Sequence, residues 1–186
     1  LMDAGINVFE FLMNSEQPIA AMQAVKREYG DTASGGMGTV LDEDTALRAL
    51  DAGADFIVSP AFNAQVVRTA LIHDVLVAPG VITPTECVEA WALGVNLLKL
   101  FPIGPLGLEY FQALRAPLDH MKFMCNGGTS DANVRQFLEA GAVACGMAGW
   151  LTGSGDMPLD VIGQRARRLR QIVTEVKSGT KGLRTI

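Results

Sequence analysis

The chain has 186 residues, of which 49% are hydrophobic and 6% aromatic, and its formal net charge is −5 at neutral pH. The length and the apolar fraction are typical of one compact domain with a sizeable core, and the acidic balance argues against a nucleic-acid or membrane-surface role. The sequence contains no signal peptide and no apolar run near 18 residues long, which favours a cytoplasmic protein.

Seven short apolar runs are predicted to be strands, and they alternate with helical patterns. They are, in chain order, Ile6–Phe11, Ala33–Val40, Phe56–Ser59, Val75–Ala78, Leu97–Phe101, Lys122–Cys125 and Ala142–Met147. The clearest helix start is Thr83–Glu86, with a capping Thr, a Pro at the first helical position and a Glu that completes a capping box. With so few aromatic residues, this alternation predicts an α/β fold on a parallel sheet.

A helix end that closes on glycine and runs straight into a strand recurs four times. The glycines are separated by 48, 41 and 47 residues, and they are Gly5, Gly53, Gly94 and Gly141. Each separation fits two strand-helix units, so the chain looks like a repeat of paired modules. This predicts a (β/α)8 TIM barrel with seven of its eight strands in this chain and the first strand and helix upstream, hence one N-terminally incomplete domain over 1–186. An open, seven-stranded doubly wound sheet is the competing fold.

Two charged residues interrupt apolar strands. Lys99 lies within Leu97–Phe101, and Glu10 follows Val8 and Phe9. Each stands five residues after a repeat glycine, so the two hold equivalent positions in alternate strands and are predicted to share a layer of the barrel interior. A buried ion pair is a poor source of stability, although a structural pair remains the alternative. An unprotonated amine beside a carboxylate is the equipment for Schiff-base chemistry at a ketone.

The last two predicted strands end in glycine-rich segments, Asn126–Ser130 and Gly146–Trp150. Glycines let backbone amides approach a ligand closely, and the loops after the last two strands of such barrels frequently bind phosphate. A phosphorylated substrate is one interpretation, and simple tight turns are the other.

No metal site and no cofactor are predicted. Cys87, Cys125 and Cys145 lack the close spacings of zinc or redox sites and are expected to be buried, reduced thiols. His73 and His120 have no carboxylate or Cys grouping nearby, so surface positions are expected for both.

The chain resembles the KHG/KDPG aldolase family over nearly its whole length. The resemblance rests on six motifs in the family's order and spacing: VFEFLMNS, GMGTVL, IVSP, APG, KLFP and NGG. It implies a metal-free class I aldolase, usually a homotrimer, that cleaves a six-carbon 2-keto-3-deoxy-6-phospho sugar acid to pyruvate and glyceraldehyde 3-phosphate. It implies a small-molecule keto acid as the partner.

The resemblance also implies roles for individual residues. Lys99 matches the Schiff-base lysine and Glu10 the carboxylate that transfers protons. Residues that match the pyruvate pocket are Thr39, Pro60 and Phe101, and those that match the phosphate-binding amides are Gly127 and Gly128.

Three positions depart from the family pattern. Asn14, followed by Ser15, is similar to the galactonate-type members, where gluconate-type members have Arg-Thr, so 2-dehydro-3-deoxy-6-phosphogalactonate is the favoured substrate. Gly149 stands where many members have a phosphate-binding Ser, and Asn126 where they have Thr or an apolar residue.

An aldolase for a non-phosphorylated 2-keto-3-deoxy or 4-hydroxy-2-keto acid is therefore an alternative function. Two others are a phosphate-binding isomerase or epimerase, and a non-catalytic chain within an oligomer of full-length subunits.

Overall fold

Strands and helices alternate along the chain in the computed structural model, which describes residues 1–181, with side chains up to Gly179. The strands are β1 (Val8–Leu12), β2 (Ser34–Gly38), β3 (Phe56–Val58), β4 (Leu76–Ala78), β5 (Gly80–Val81), β6 (Leu98–Leu100), β7 (Phe123–Asn126) and β8 (Ala144–Gly146). The helices are α1 (Pro18–Tyr29), α2 (Glu43–Asp51), α3 (Ala64–Ile72), α4 (Pro84–Ala92), α5 (Gly107–Arg115), α6 (Val134–Glu139), α7 (Gly149–Thr152) and α8 (Leu159–Lys181). All seven predicted strands are confirmed, most with shorter bounds.

The chain forms two compact units. The central unit contains Asn7–Phe101 and Leu118–Lys122, and the terminal unit contains Leu1–Ile6, Pro102–Pro117 and the residues from Phe123 onward. The central unit therefore holds β1 to β6, whereas the terminal unit holds β7 and β8. The single domain expected from the length stays a prediction.

Parallel pairing organises the central unit. Strands β1, β2, β3 and β4 lie side by side in that order, and Glu10 is opposite Gly36 in this register. Pro79 then separates β4 from β5, and the chain changes partner, because β4 pairs with β3 whereas β5 pairs with β6. Proline has no N–H to give to a ladder, but its carbonyl accepts a hydrogen bond from Lys99 N at 2.9 Å. The sequence did not predict β5.

Helices cover the strands of the central unit with small and flexible apolar side chains. Met22 of α1 and Met37 of β2 are fully buried, as are Ala49 of α2 and Val66 of α3. Methionine adapts its shape to irregular gaps, and alanine lets a helix approach a sheet closely. The core is therefore built with few aromatic residues, as the composition predicts.

The terminal unit has a core of its own. Strands β7 and β8 pair in parallel, with Asn126 opposite Gly146. The rings of Phe123 and Phe137 each meet the ring of Phe111 edge to face, with centroids 6.0 and 6.1 Å apart. A second cluster joins α6, α7 and α8 through buried apolar side chains, which are Val134, Leu151, Ala166, Leu169 and Ile172.

The four repeat glycines share one backbone conformation. Their φ angles are 78°, 85°, 99° and 101°, for Gly5, Gly53, Gly94 and Gly141. Only glycine enters this left-handed region without strain, and there it ends a helix and turns the chain toward the next strand. The repeat inferred from the sequence is confirmed at the level of backbone geometry.

The three cysteines are free, and two of them, Cys87 and Cys125, are fully buried, whereas Cys145 is partly buried. Burial raises the pKa of Cys87 to about 11 and that of Cys145 to about 12, and it also raises the pKa of Cys125. His73 and His120 are exposed, as expected. None of the described helices is long and apolar enough to cross a membrane.

The predicted capping box begins α4. Thr83 Oγ1 accepts a hydrogen bond from Glu86 N at 3.3 Å, and the Glu86 carboxylate accepts bonds from Thr83 N, Thr83 Oγ1 and Ile82 N at 2.7 to 2.9 Å. Partial burial alone would raise the pKa of Glu86, but these hydrogen bonds outweigh it and lower the pKa of Glu86 below its ordinary value of 4.5.

We expect Thr83→Ala to lower the free energy of unfolding by about 1 kcal/mol, and the melting temperature by about 2–4 °C, because α4 loses its cap.

Glu86→Gln is expected to destabilise the protein at pH 7, and this loss of stability should shrink as the pH falls through the lowered pKa of Glu86. Above pH 4.5 the bound carboxylate favours the folded state, and protonation removes that contribution. Urea unfolding between pH 3 and 7 tests both; a deficit for Glu86→Gln that grows toward low pH would contradict the assignment.

Candidate active site

Lys99 and Glu10 meet inside the central unit. Lys99 Nζ lies 3.4 Å from Glu10 Oε1, and the two side chains are 8% and 22% exposed. The predicted proximity of these residues, which are 89 positions apart in the sequence, is confirmed. The distance is longer than the 2.7–2.9 Å of a tight charge-assisted hydrogen bond. The carboxylate is therefore near enough to exchange a proton with a molecule bound to the amine, but it does not hold the amine in a tight ion pair.

The strand β6 fixes the position of the Lys99 amine. Leu98 and Leu100 on either side are fully buried, and strand alternation points them away from the face that carries Lys99. The amine also lies 5.1 Å from the centroid of the Phe101 ring, a distance at which an aromatic face attracts a cation. Phe101, predicted to line the pyruvate pocket, is thus a neighbour of the Lys99 amine.

Thr39 has a strained backbone at the end of β2. Its φ is +57°, in the left-handed region that a β-branched residue rarely adopts. The next residue returns to the ladder, where Val40 N donates to Val58 O at 3.3 Å. Such strain costs on the order of 1–3 kcal/mol and is concentrated at functional sites. The family resemblance implies a place for Thr39 in the pyruvate pocket, but the sequence gave no sign of this conformation.

A groove of about 580 Å³ begins at Thr39 and Asn14 and runs along α1 and α2. The structure thus brings these two predicted substrate residues to one surface. Gln23 and Arg48 also line the groove, and sequence reasoning missed both. They lie on helices, where only the packing decides which residues face a cavity. Neither Lys99 nor Glu10 is among its described lining residues.

Pro60, the other predicted pocket residue, is half-buried beyond β3 and packs against the strand that neighbours Lys99. A Cβ added to Gly80 would lie 2.2 Å from the carbonyl carbon of Pro60 and 2.3 Å from its oxygen. Gly80 is opposite Lys99 in the register of β5 and β6. The glycine of the APG motif therefore lets the Pro60 backbone touch the strand beside the amine.

The terminal unit contains the predicted phosphate-binding residues. Asn126 is 6% exposed at the end of β7, and its Oδ1 has no hydrogen-bond partner among the described residues. Gly146 opposite leaves room for this amide, since a Cβ there would lie 2.1 Å from Asn126 Nδ2. Gly127 and Gly128 follow with φ of 79° and 88°. Two successive residues in this conformation turn the loop tightly at the end of the strand.

Gly149 is exposed at the start of α7, in the same unit as this loop. A Cβ added to Gly149 would meet nothing within 4 Å, so the position is open. The structure therefore places Gly127 and Gly128 in one loop, directly after Asn126, and Gly149 at the start of α7, after the neighbouring strand β8. Among the described residues, no three His, Cys, Asp or Glu side chains come together as a metal site requires.

Comparison with known proteins gives consistent matches. The family model for KDPG and KHG aldolases matches residues 1–163. The chain is 33% identical over 156 residues to 2-dehydro-3-deoxy-6-phosphogalactonate aldolase of Escherichia coli K12, covering 83% of this chain and 76% of that protein. It is 34% identical over 148 residues to 2-dehydro-3-deoxy-phosphogluconate aldolase of Treponema pallidum, covering 78% of this chain and 70% of that protein.

The fold also matches a solved structure. The structure of native KDPGal aligns with a TM-score of 0.89 and 30% identity, over 95% of this chain and 86% of that chain. The predicted fold class, α/β of the (β/α)8 barrel type, is confirmed, and the doubly wound alternative is excluded.

If the Lys99 amine is present for chemistry, its removal should not cost stability. We expect Lys99→Met to change the free energy of unfolding by less than about 1 kcal/mol, because an apolar side chain of similar length fills the same space and the Glu10 carboxylate, 22% exposed, keeps contact with water after it loses its partner. Urea unfolding measures this. Leu100→Ala on the same strand is the control and should cost about 2–5 kcal/mol. A loss above about 3 kcal/mol for Lys99→Met would instead indicate a structural ion pair.

Proposed function

Because this chain belongs to the KDPG and KHG aldolase family, we propose that it is a class I aldolase in which Lys99 forms a Schiff base with a 2-keto acid. Membership of the family makes the protein a carbon–carbon lyase that acts on phosphorylated keto-deoxy sugar acids. We further propose that its substrate is 2-dehydro-3-deoxy-6-phosphogalactonate and that its products are pyruvate and glyceraldehyde 3-phosphate.

The proposal rests on one observation above all, the 3.4 Å approach of Lys99 Nζ to Glu10 Oε1 within apolar strands. A primary amine attacks a ketone only in its neutral form, so the reaction needs a neighbouring group that takes and returns protons. The neighbouring carboxylate can accept the proton of the C4 hydroxyl and return a proton to C3, and such transfers contribute about 10²–10⁴-fold in typical enzymes.

The reaction follows from these two groups. Lys99 Nζ adds to C2 of the keto acid, and loss of water gives an iminium. Glu10 accepts the proton of the C4 hydroxyl, the C3–C4 bond breaks, and its electron pair moves into the enamine while the aldehyde leaves. The proton returns to C3, and water then releases pyruvate and the free amine. The iminium serves as the electron sink, so the carbanion never forms in isolation.

The residues beside the amine support a keto acid as the substrate. Phe101 lies beside Lys99, and the Pro60 backbone touches the strand next to it. We assign Thr39, Pro60 and Phe101 to the pyruvate part of the substrate. The strained conformation of Thr39 supports a functional role, since residues in sparsely populated backbone conformations cluster at functional sites.

We assign phosphate binding to the backbone amides of Gly127 and Gly128. The unpartnered Oδ1 of the buried Asn126 supports a ligand contact at this loop, because buried polar atoms are nearly always satisfied. The preference for the galactonate epimer rests on Asn14. The two similar relatives differ by only one percentage point in identity, so overall similarity does not separate the epimers.

A non-phosphorylated keto acid is the second candidate substrate, and Gly149 favours it. This position is open and exposed but offers no hydroxyl to an anion. The homotrimer and the cytoplasmic location stay predictions.

Borohydride trapping tests the Schiff base. We expect incubation with pyruvate and sodium borohydride to add one pyruvate-derived group, mapped to Lys99 by peptide mass spectrometry, because borohydride reduces the imine irreversibly. Lys99→Ala should abolish the adduct. Lys122→Ala removes an exposed lysine of the same unit and should leave the adduct unchanged. Glu10→Gln should retain the adduct while cleavage slows by about 10²–10⁴-fold.

An unlabelled Lys99 in folded wild-type protein would exclude the class I mechanism and favour an isomerase or epimerase. Equal loss of trapping and cleavage in Glu10→Gln would instead contradict the role assigned to the carboxylate.

Gly149→Ser tests the phosphate site. The open position should accept the side chain without loss of stability, and a hydroxyl near the phosphate should lower KM for the phosphorylated substrate by about tenfold, since a hydrogen bond to a charged group is worth about 1.5 kcal/mol. KM for the non-phosphorylated analogue should not change. Gly149→Ala supplies the same Cβ without the hydroxyl and is the matched control. Equal effects of Ser and Ala on both substrates would contradict the assignment.

A further inference from the structure

The last residue of β2, Gly38, lies directly under the Glu10 side chain. A Cβ added to Gly38 would stand 2.0 Å from Glu10 Oε1 and 2.7 Å from both Cδ and Cγ of that residue. Gly38 is buried, and its carbonyl accepts a hydrogen bond from Met13 N at 2.9 Å. The Glu10 carboxylate therefore packs against the Gly38 backbone, in space that the Cβ of any other residue at position 38 would fill.

We propose that Gly38 is a positioning residue that holds the Glu10 carboxylate within reach of the Lys99 amine. The inference rests on the proposed function, because it concerns the carboxylate assigned to proton transfer. Gly38 acts through Glu10, because the Glu10 oxygen nearest to an added Cβ is also the one that pairs with Lys99.

The size of the overlap decides the effect. Non-bonded heavy atoms approach to about 3.5 Å, so an added methyl group must displace Oε1 by more than about 1 Å. The same oxygen is the one that lies 3.4 Å from Lys99 Nζ. A misplacement of about 1 Å at reacting groups costs about 100-fold in rate.

The structure also explains why such a change should leave the fold intact. All three atoms that the added Cβ would meet first belong to the flexible Glu10 side chain, and none belongs to the backbone. The side chain can rotate away at little cost. The loss should therefore fall on proton transfer and not on stability or on the amine.

Two readouts separate these effects in Gly38→Ala. Exchange of the pyruvate methyl protons with deuterium, followed by NMR, reports proton transfer at C3 and should slow by about 100-fold. Borohydride trapping of pyruvate on Lys99 reports the amine and should remain at the wild-type level. A normal extent of trapping also shows that the variant is folded.

Gly35→Ala is the matched control. Gly35 lies on the same strand but on the opposite face, and its added Cβ would meet Met22 Cγ at 3.0 Å, away from Glu10. Its deuterium exchange should match that of the wild type.

A double-mutant cycle tests whether Gly38 acts through Glu10. In the Glu10→Gln background, the Gly38→Ala change should have little further effect on exchange, because the group that it displaces no longer transfers protons. If the exchange rate of the double variant fell by the product of the two single losses, Gly38 would act independently of Glu10, and the inference would be overturned.

The remaining outcomes are also decisive. Normal exchange in Gly38→Ala would overturn the positioning role while leaving the proposed function intact. A Gly38→Ala chain that fails to fold would overturn it as well, because the backbone would then be what needs the glycine. A wild-type protein that traps no pyruvate would remove the proposed function and this inference together.

Discussion

The central unit is constrained by the need to hold an amine in an apolar strand with a carboxylate beside it. Desolvation makes such a pair expensive, and the partial exposure of Glu10, at 22%, shows that the carboxylate keeps some contact with water while Lys99, at 8%, is nearly enclosed. A pair of this kind is a poor source of stability, and the surrounding strands hold its two members in place. This asymmetry suits the proposed mechanism, in which the amine attacks in its neutral form and the carboxylate carries protons.

Glycines, which lack a side chain, leave space around Lys99 and Glu10. The strand β2 reads SGGMG, and the glycines at its interior positions leave room for neighbours that would otherwise collide. A Cβ at Gly36 would lie 2.3 Å from the Phe56 ring, just as one at Gly80 would overlap the Pro60 backbone. Glycine weakens a strand, so this arrangement costs local stability. Methionine, valine and alanine packed between helices and strands supply the compensating burial.

The sequence predicted what depends on short-range pattern. The seven strands, the helix cap at Thr83 and the repeat of left-handed glycines follow from local chemistry, and the repeat alone placed Lys99 near Glu10. The sequence did not predict the features that depend on which strands and helices pack against each other. The change of pairing partner at Pro79 depends on which strands lie alongside, and the lining of the groove by Arg48 depends on how α1 and α2 pack. The left-handed Thr39 contradicts the preference of its own residue type, so only the three-dimensional structure could reveal it.

The buried thiols have a practical consequence. Thiolate is the reactive form of cysteine, and the raised pKa of Cys87, of Cys125 and of Cys145 leaves almost none of it at neutral pH. The native cysteines will therefore be slow to react with maleimide reagents. A single cysteine introduced at an exposed position such as Ser15 can be labelled selectively with a fluorophore, without first removing the native three. The wild-type background thus already suits fluorescence experiments that follow the loop after β1 while a keto acid is added.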